Sequence, residues 1–144
     1  MFKTIVVGAD DSPTAAQAVA TAMDLAKLCG AELHIVTAYK PERARPPRES
    51  GLPEELRYSL SQHPADRLLD QLAAMARSVA VEPIVHAAAG EAAESLTTIA
   101  AEEQADLIVV GNKGMKGARR MLGSVPNDVA HSAPCSVLIV DTTG

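Results

Sequence analysis

Hydrophobic positions along this chain fall into two alternating kinds of group. The first kind is short, continuous and rich in β-branched residues. It recurs at Lys3 to Ala9 (KTIVVGA), Ala31 to Tyr39 (AELHIVTAY), Glu82 to Ala88 (EPIVHAA), Asp106 to Val110 (DLIVV) and Ser136 to Asp141 (SVLIVD). Runs of this length without polar alternation predict strands buried on both faces, as in the middle of a parallel sheet. The second kind is spread at helical spacing. Ala15, Ala18, Val19, Ala22, Leu25, Ala26 and Cys29 share one helix face, and Leu68, Leu69, Leu72, Ala73, Met75 and Ala76 share another between Ala65 and Val79. A third helix is expected from Gly90-Glu91 to about Glu103, and a fourth from Ser124 to about His131.

Local punctuation agrees with these periods. Ser12 can cap the first helix with Pro13 at its first position, and Gly30 can stop it. Ser124 and Pro126 repeat that arrangement in the fourth helix. Glu91 and Glu94 put negative charge in the first turn of the third, where the helix dipole favours it. Pro83 has no N–H to donate, which predicts an early or edge position for its strand. The alternation βαβαβαβαβ predicts an open α/β sheet of parallel strands with helices on both faces. In such sheets ligands bind beyond the carboxyl ends of the strands, where strand order reverses. The stretch from Pro41 to Pro64 interrupts every period with proline, glycine and charge. It is a long connection that either drapes over the sheet's carboxyl edge or makes a plain surface excursion.

Composition narrows the field further. The 144 residues fit one domain, 1–144, with 47% hydrophobic and 22% charged residues, an ordinary globular mixture. A net charge of −5 argues against nucleic acid and acidic membranes as partners. No apolar run reaches membrane-spanning length, and Met1-Phe2-Lys3 leads into a strand where a signal peptide would need an apolar core, so a cytoplasmic location is expected. Cys29 and Cys135 lie far apart without metal-ligand spacing and are expected to be buried, reduced thiols. His34, His86 and His131 read as core or helix-end residues, and His63 lies in the long connection.

The chemistry concentrates after the fourth strand. There the chain runs Gly111-Asn112-Lys113-Gly114-Met115-Lys116-Gly117-Ala118-Arg119-Arg120-Met121-Leu122-Gly123-Ser124-Val125-Pro126-Asn127 and enters the fourth helix. Glycines let backbone approach a ligand, and unpaired N–H groups with the helix dipole attract an anion. Lys113, Lys116, Arg119 and Arg120 gather here in an otherwise acidic protein. A nucleotide phosphate is the expected occupant. If the first and fourth strands are neighbours, Asp10 faces the same crevice and can accept a hydrogen bond from a ribose hydroxyl. The competing role for Asp10 is capping of the first helix, which Asp11 and Ser12 can also perform.

Together the opening IVVGADDS, the Gly111-x-x-Gly114 loop, GSVPN at Gly123 to Asn127 and the closing APCSVLIVD make the chain similar to the universal stress protein family, in its ATP-binding branch. The resemblance covers essentially the whole chain. It implies an adenine nucleotide alpha hydrolase-like, Rossmann-like three-layer sandwich: an open five-stranded parallel sheet in the order 3-2-1-4-5 with four helices on both faces. It also implies a site for ATP, AMP or ADP, with Mg²⁺ as a companion where phosphates are held. By matching position Asp10 would sit on adenine or ribose, with Gly8, Ala9, Thr37 and Ala38 lining the base pocket. Val110 and Gly111 would flank ribose and α-phosphate, and Gly114, Gly123, Ser124 and Val125 would hold phosphates. The family motif G-x2-G-x9-G-(S/T) is met here with eight residues between Gly114 and Gly123. A homodimer through the last strand, Ser136 to Asp141, is implied too, and an apolar edge strand independently calls for cover.

Other classes fit less well. No Ser/His/Asp or Cys/His arrangement and no Gly-Lys of a Walker loop is present, so the chain reads as a binder and at most a slow ATPase. A phosphoacceptor receiver domain would suit Asp10-Asp11 but fails at the third strand, which ends His86-Ala87-Ala88-Ala89-Gly90 with no acceptor Asp. Aromatic residues, at 2%, are too few to cover a flavin. A nucleotide-free dimeric scaffold acting on a protein partner, and a cyclic AMP-binding variant, stay open as alternatives.

Overall fold

A computed structural model of the chain describes residues 1–10, 12–40, 64–112 and 125–142. Its elements are β1 (Thr4–Gly8), α1 (Pro13–Cys29), β2 (Glu32–Tyr39), α2 (Pro64–Ser78), β3 (Pro83–Ala89), α3 (Ala92–Glu102), β4 (Leu107–Gly111), α4 (Val125–Ser132) and β5 (Ser136–Val140). The strands form one parallel sheet in the order β3-β2-β1-β4-β5, as expected. Pro83 opens β3, which is an edge strand, so its missing donor costs no ladder bond on the outer side.

Strand periodicity divides the core between the two faces. Ile5 and Val7 of β1, Leu33 and Ile35 of β2 and Leu107 and Val109 of β4 pack against α1 and α2. Val6, Val36, Ile108 and Val110 point the other way, against Leu96, Ile99 and Ala100 of α3 and Val129 of α4. Ile5, Val6, Val7, Ile108 and Val109 are completely buried, which explains why the central strands carry no polar alternation. Each such side chain contributes about 1.5–3 kcal/mol through removal from water.

The helix ends at the sheet's amino edge share one closure. Ala31, Val81 and Ala105 each donate an N–H to the carbonyl five residues back, at Ala26, Ala76 and Ala100. The intervening turn residue has positive φ: Gly30 in the first, Ala80 and Gln104 in the others. This is the Schellman arrangement, and the buried Val81 and Ala105 supply its apolar contact. At the other end of α1, Ser12 is the N-cap as expected, its hydroxyl accepting the Ala15 N–H at 3.3 Å.

Expected strand boundaries shift by one residue at several ends: Lys3 and Ala9 lie outside β1, Ala31 outside β2 and Glu82 outside β3, while Ala89 and Gly111 lie inside β3 and β4. At Asp106 the shift has an electrostatic reason. Asp106 stands outside β4: its carboxylate accepts the N–H groups of Lys3 at 2.9 Å and Thr4 at 3.1 Å, clamping the start of β1 to that of β4. Asp141, expected within the last strand, follows β5, which ends at Val140. Cys29 and Cys135 are reduced but half-buried, short of the full burial expected, and burial followed by Asp106 raises the Cys135 pKa. Among the described residues no helix is long and apolar enough to cross a membrane.

The Asp106 clamp predicts a pH dependence. The Lys3 N–H foremost, with Thr4, holds this carboxyl below its ordinary pKa, against a smaller opposing effect of desolvation. A lowered folded-state pKa gives stability that is complete above the unfolded carboxylate range and drains away as pH falls through the folded value. In urea unfolding, Asp106→Ala should therefore be less stable than the parent at neutral pH, with the gap closing in acid. A gap that persists undiminished at low pH would contradict the clamp.

Candidate functional site

The order β3-β2-β1-β4-β5 makes the β1–β4 pair the place where the chain's progress across the sheet reverses. From β1 the chain crosses by α1 to β2 on one side. From β4 it crosses by α4 to β5 on the other. The helices therefore diverge above the carboxyl ends of these two strands and leave a crevice there. The β1–β4 register, Ile5↔Leu107 through Val7↔Val109, brings the exit of β1 alongside that of β4.

Each exit is held by its own bonds. Ala9 donates its N–H to the Val36 carbonyl at 2.9 Å, and its carbonyl accepts the Thr37 hydroxyl at 2.7 Å. Thr37 is buried, so its hydroxyl ties β2 to the β1 exit. Asp10 is exposed and folds back on α1: one carboxylate oxygen accepts both the Ser12 N–H at 2.9 Å and the Ser12 hydroxyl. Asp10 thus braces the N-cap residue just beyond the exit of β1.

Glycines here answer to packing. A Cβ on Gly8 would lie 2.7 Å from Leu96 Cδ1, and one on Gly111 would lie 3.2 Å from Thr142 Cγ2. On its side-chain face Gly8 is therefore covered by α3 and closed to a ligand. Val110 is buried against the α3 and α4 side. Ala38 is half-buried near the end of β2, and Val125 is an exposed first residue of α4. Gly114, Gly123 and Ser124, with the four loop cations and Asp11, lie outside the described residues.

Asn112, directly after β4, makes bonds that sequence reasoning missed. Its backbone N–H reaches the Val140 carbonyl at 3.0 Å. Its amide donates to Asp141 Oδ1 at 3.0 Å, and its Oδ1 accepts the Thr142 N–H at 3.0 Å and hydroxyl at 2.9 Å. The root of the glycine loop is thereby fastened to the exit of β5. The usable signal was an Asn directly after a strand, a residue type whose side chain replaces backbone partners.

The universal stress protein family profile matches residues 1–141. The chain belongs to that family. The universal stress protein Rv1636 of Mycobacterium tuberculosis is 37% identical over 148 aligned positions, covering 99% of this chain and 98% of that one. A universal stress protein crystallised in complex with cAMP superposes with a TM-score of 0.80 at 31% identity, covering 99% and 98% of the two chains. The universal stress protein from Archaeoglobus fulgidus in complex with dAMP shares the fold, with a TM-score of 0.67 at 22% identity over 96% and 98%.

In this universal stress protein the histidines fall as expected for two of three. His34 is a core residue and His131 lies exposed in the last turn of α4. His86 is half-buried on the edge strand, its pKa lowered by burial and by His34 against the pull of Glu103 and Glu102.

The Gly8 contact is testable by coupling. Gly8→Ala should cost roughly 1–3 kcal/mol through overpacking, read from chemical denaturation. Shortening its neighbour with Leu96→Ala should make the double variant more stable than the sum of the single effects implies. Strict additivity would place the two residues out of contact.

Proposed function

We propose that this universal stress protein binds an adenine nucleotide across the carboxyl ends of β1 and β4 and acts as a regulatory module in stress signalling. What carries the reading is the junction of the β1 and β4 exits at the switch point, with a glycine-rich segment continuing from β4 towards α4. In this reading Asp10 takes a ribose hydroxyl or adenine, with Gly8, Ala9, Thr37 and Ala38 forming the wall of the base pocket. Val110 and Gly111 flank ribose and α-phosphate. Gly114, Gly123, Ser124 and Val125 supply N–H groups for phosphates, where Mg²⁺ would be held if ATP is the ligand.

Cyclic AMP is a second reading with its own support. A relative with 31% identity over nearly the whole chain was crystallised with it. The segment between Gly114 and Gly123 is also one residue shorter than in the family motif, and a single phosphate needs less loop than three. The β5 edge, apolar and unpaired on one side among the described strands, suits a second copy of the chain as partner, giving a homodimer.

Calorimetry with ATP, ADP, AMP and cyclic AMP, together with mass spectrometry of nucleotide released on denaturation, tests the proposal. At least one of these ligands should bind once per chain. Gly114→Glu should abolish binding while the fold is kept, and Asp10→Ala should weaken it at least tenfold, about 1.4 kcal/mol. Full affinity in the folded Gly114→Glu variant would remove the loop from the site. Sedimentation of the protein with a charge placed in β5, as Leu138→Glu, should shift dimer to monomer.

A further inference from the structure

A second constellation lies towards the opposite end of the sheet, on the α3 face. The β2–β3 register pairs His34 with Ile84 and Val36 with His86, so both imidazoles project from one face on adjacent strands. The C-cap of α3 delivers Glu103 to the same place, and Glu32 begins β2 two residues before His34. His34 Nδ1 lies 2.8 Å from His86 Nε2. His34 Nε2 lies 2.6 Å from Glu32 Oε1 and 4.0 Å from Glu103 Oε2. One donor atom each from His34, His86 and Glu103 fall within 4.8 Å of one another.

We propose that His34, His86 and Glu103 bind a divalent transition-metal ion of the Zn²⁺ type, with Glu32 orienting His34 from behind.

The convergence of three donor atoms, with His34 held by Glu32, carries the proposal. The ring centroids are 5.1 Å apart and the planes differ by 22°. That centroid separation is the N···N distance plus one ring radius at either side, so the rings meet nearly in plane, nitrogen to nitrogen. They do not stack. Glu32 accepts only, so the 2.6 Å contact assigns the His34 proton to Nε2 and leaves an Nδ1 lone pair aimed at His86. This is the carboxylate–histidine arrangement that fixes the tautomer of a metal ligand. When His86 takes its other neutral tautomer, its Nε2 lone pair joins that of His34. To hold an ion the pair opens from 2.8 Å to about 3.3 Å and each ring turns by roughly 35°, so that the two lone pairs converge at bonds of about 2.0–2.1 Å around a tetrahedral centre.

His34 is 1% exposed and held by the core, whereas His86 sits on an edge strand and is free to make its share of that adjustment. Glu103 supplies an anionic oxygen from the exposed side, and water completes the fourth place. Two imidazoles and one carboxylate select Zn²⁺ and its neighbours over Mg²⁺ and Ca²⁺, which prefer oxygen alone. The site shares no residue with the nucleotide crevice and does not rest on that assignment.

The test uses the full chain, stripped of metal and nucleotide. Titration with Co²⁺ should develop a visible ligand-field band that saturates at one ion per chain and is abolished by Zn²⁺. His34→Asn would disturb the core, so the informative variants are His86→Gln and Glu103→Gln, with folding checked by circular dichroism. Each should weaken Zn²⁺ binding at least 100-fold, and Glu32→Gln by about 10–100-fold. Asp10→Ala should leave it unchanged. Absence of saturable binding by the parent, or parental affinity in folded His86→Gln, would overturn the proposal.

Discussion

The pairing of β1 with β4 is the constraint on which the molecule is built. These strands are buried on both faces, so their backbone groups have no water to turn to and must satisfy each other. Their neighbourhood also forces the sheet order to reverse, since one strand's onward crossover goes left and the other's goes right. The crevice is a by-product of that reversal. At the amino end the Asp106 carboxylate ties the two strands together, and at the carboxyl end the exits are fixed separately by Thr37 and Asn112.

Positioning in the crevice is done by backbone and by short side chains. The Thr37 hydroxyl reaches the Ala9 carbonyl, the Asp10 carboxylate holds Ser12, and Asn112 holds the two residues after β5. None of these contacts involves a long flexible chain, so little rotamer entropy is lost in making them. The glycines serve the same economy of space, letting α3 press against β1 at Gly8 and Thr142 approach β4 at Gly111.

The fold was legible because burial leaves a direct imprint on sequence. Strands covered on both sides read as unbroken apolar runs, and helices covered on one side read at helical spacing. Ser12, Pro13 and Gly30 marked the first helix correctly, and Pro83 marked an edge. Boundaries slipped at Asp106 and Asp141, carboxylates that adjoin strands but bond to other segments. Less of the site could be read. Asp10 was placed at the crevice, but its hold on Ser12 was weighed only as a competing role. The bonds of Asn112 to Thr142 span thirty residues, and Gly8 meets a leucine on another element. The His34–His86 contact depends on the β2–β3 register, and no local pattern reveals a register between strands joined by a long connection.

The Schellman closures have a bearing on how such a protein changes over time. At the rim where helices α1, α2 and α3 return to the sheet, only 2, 4 and 4 residues separate each helix from its strand. Their conformation is dictated by bonds to the helix itself. At the opposite rim, 4 residues lead from β1 to α1 and 2 from β3 to α3, but 24 separate β2 from α2 and 13 separate β4 from α4. One rim is a hem that tolerates almost no insertion, and the other is where length and composition can drift. Added length in the two long connections leaves the architecture intact, whereas an insertion in a stitched turn would break the closure of a helix.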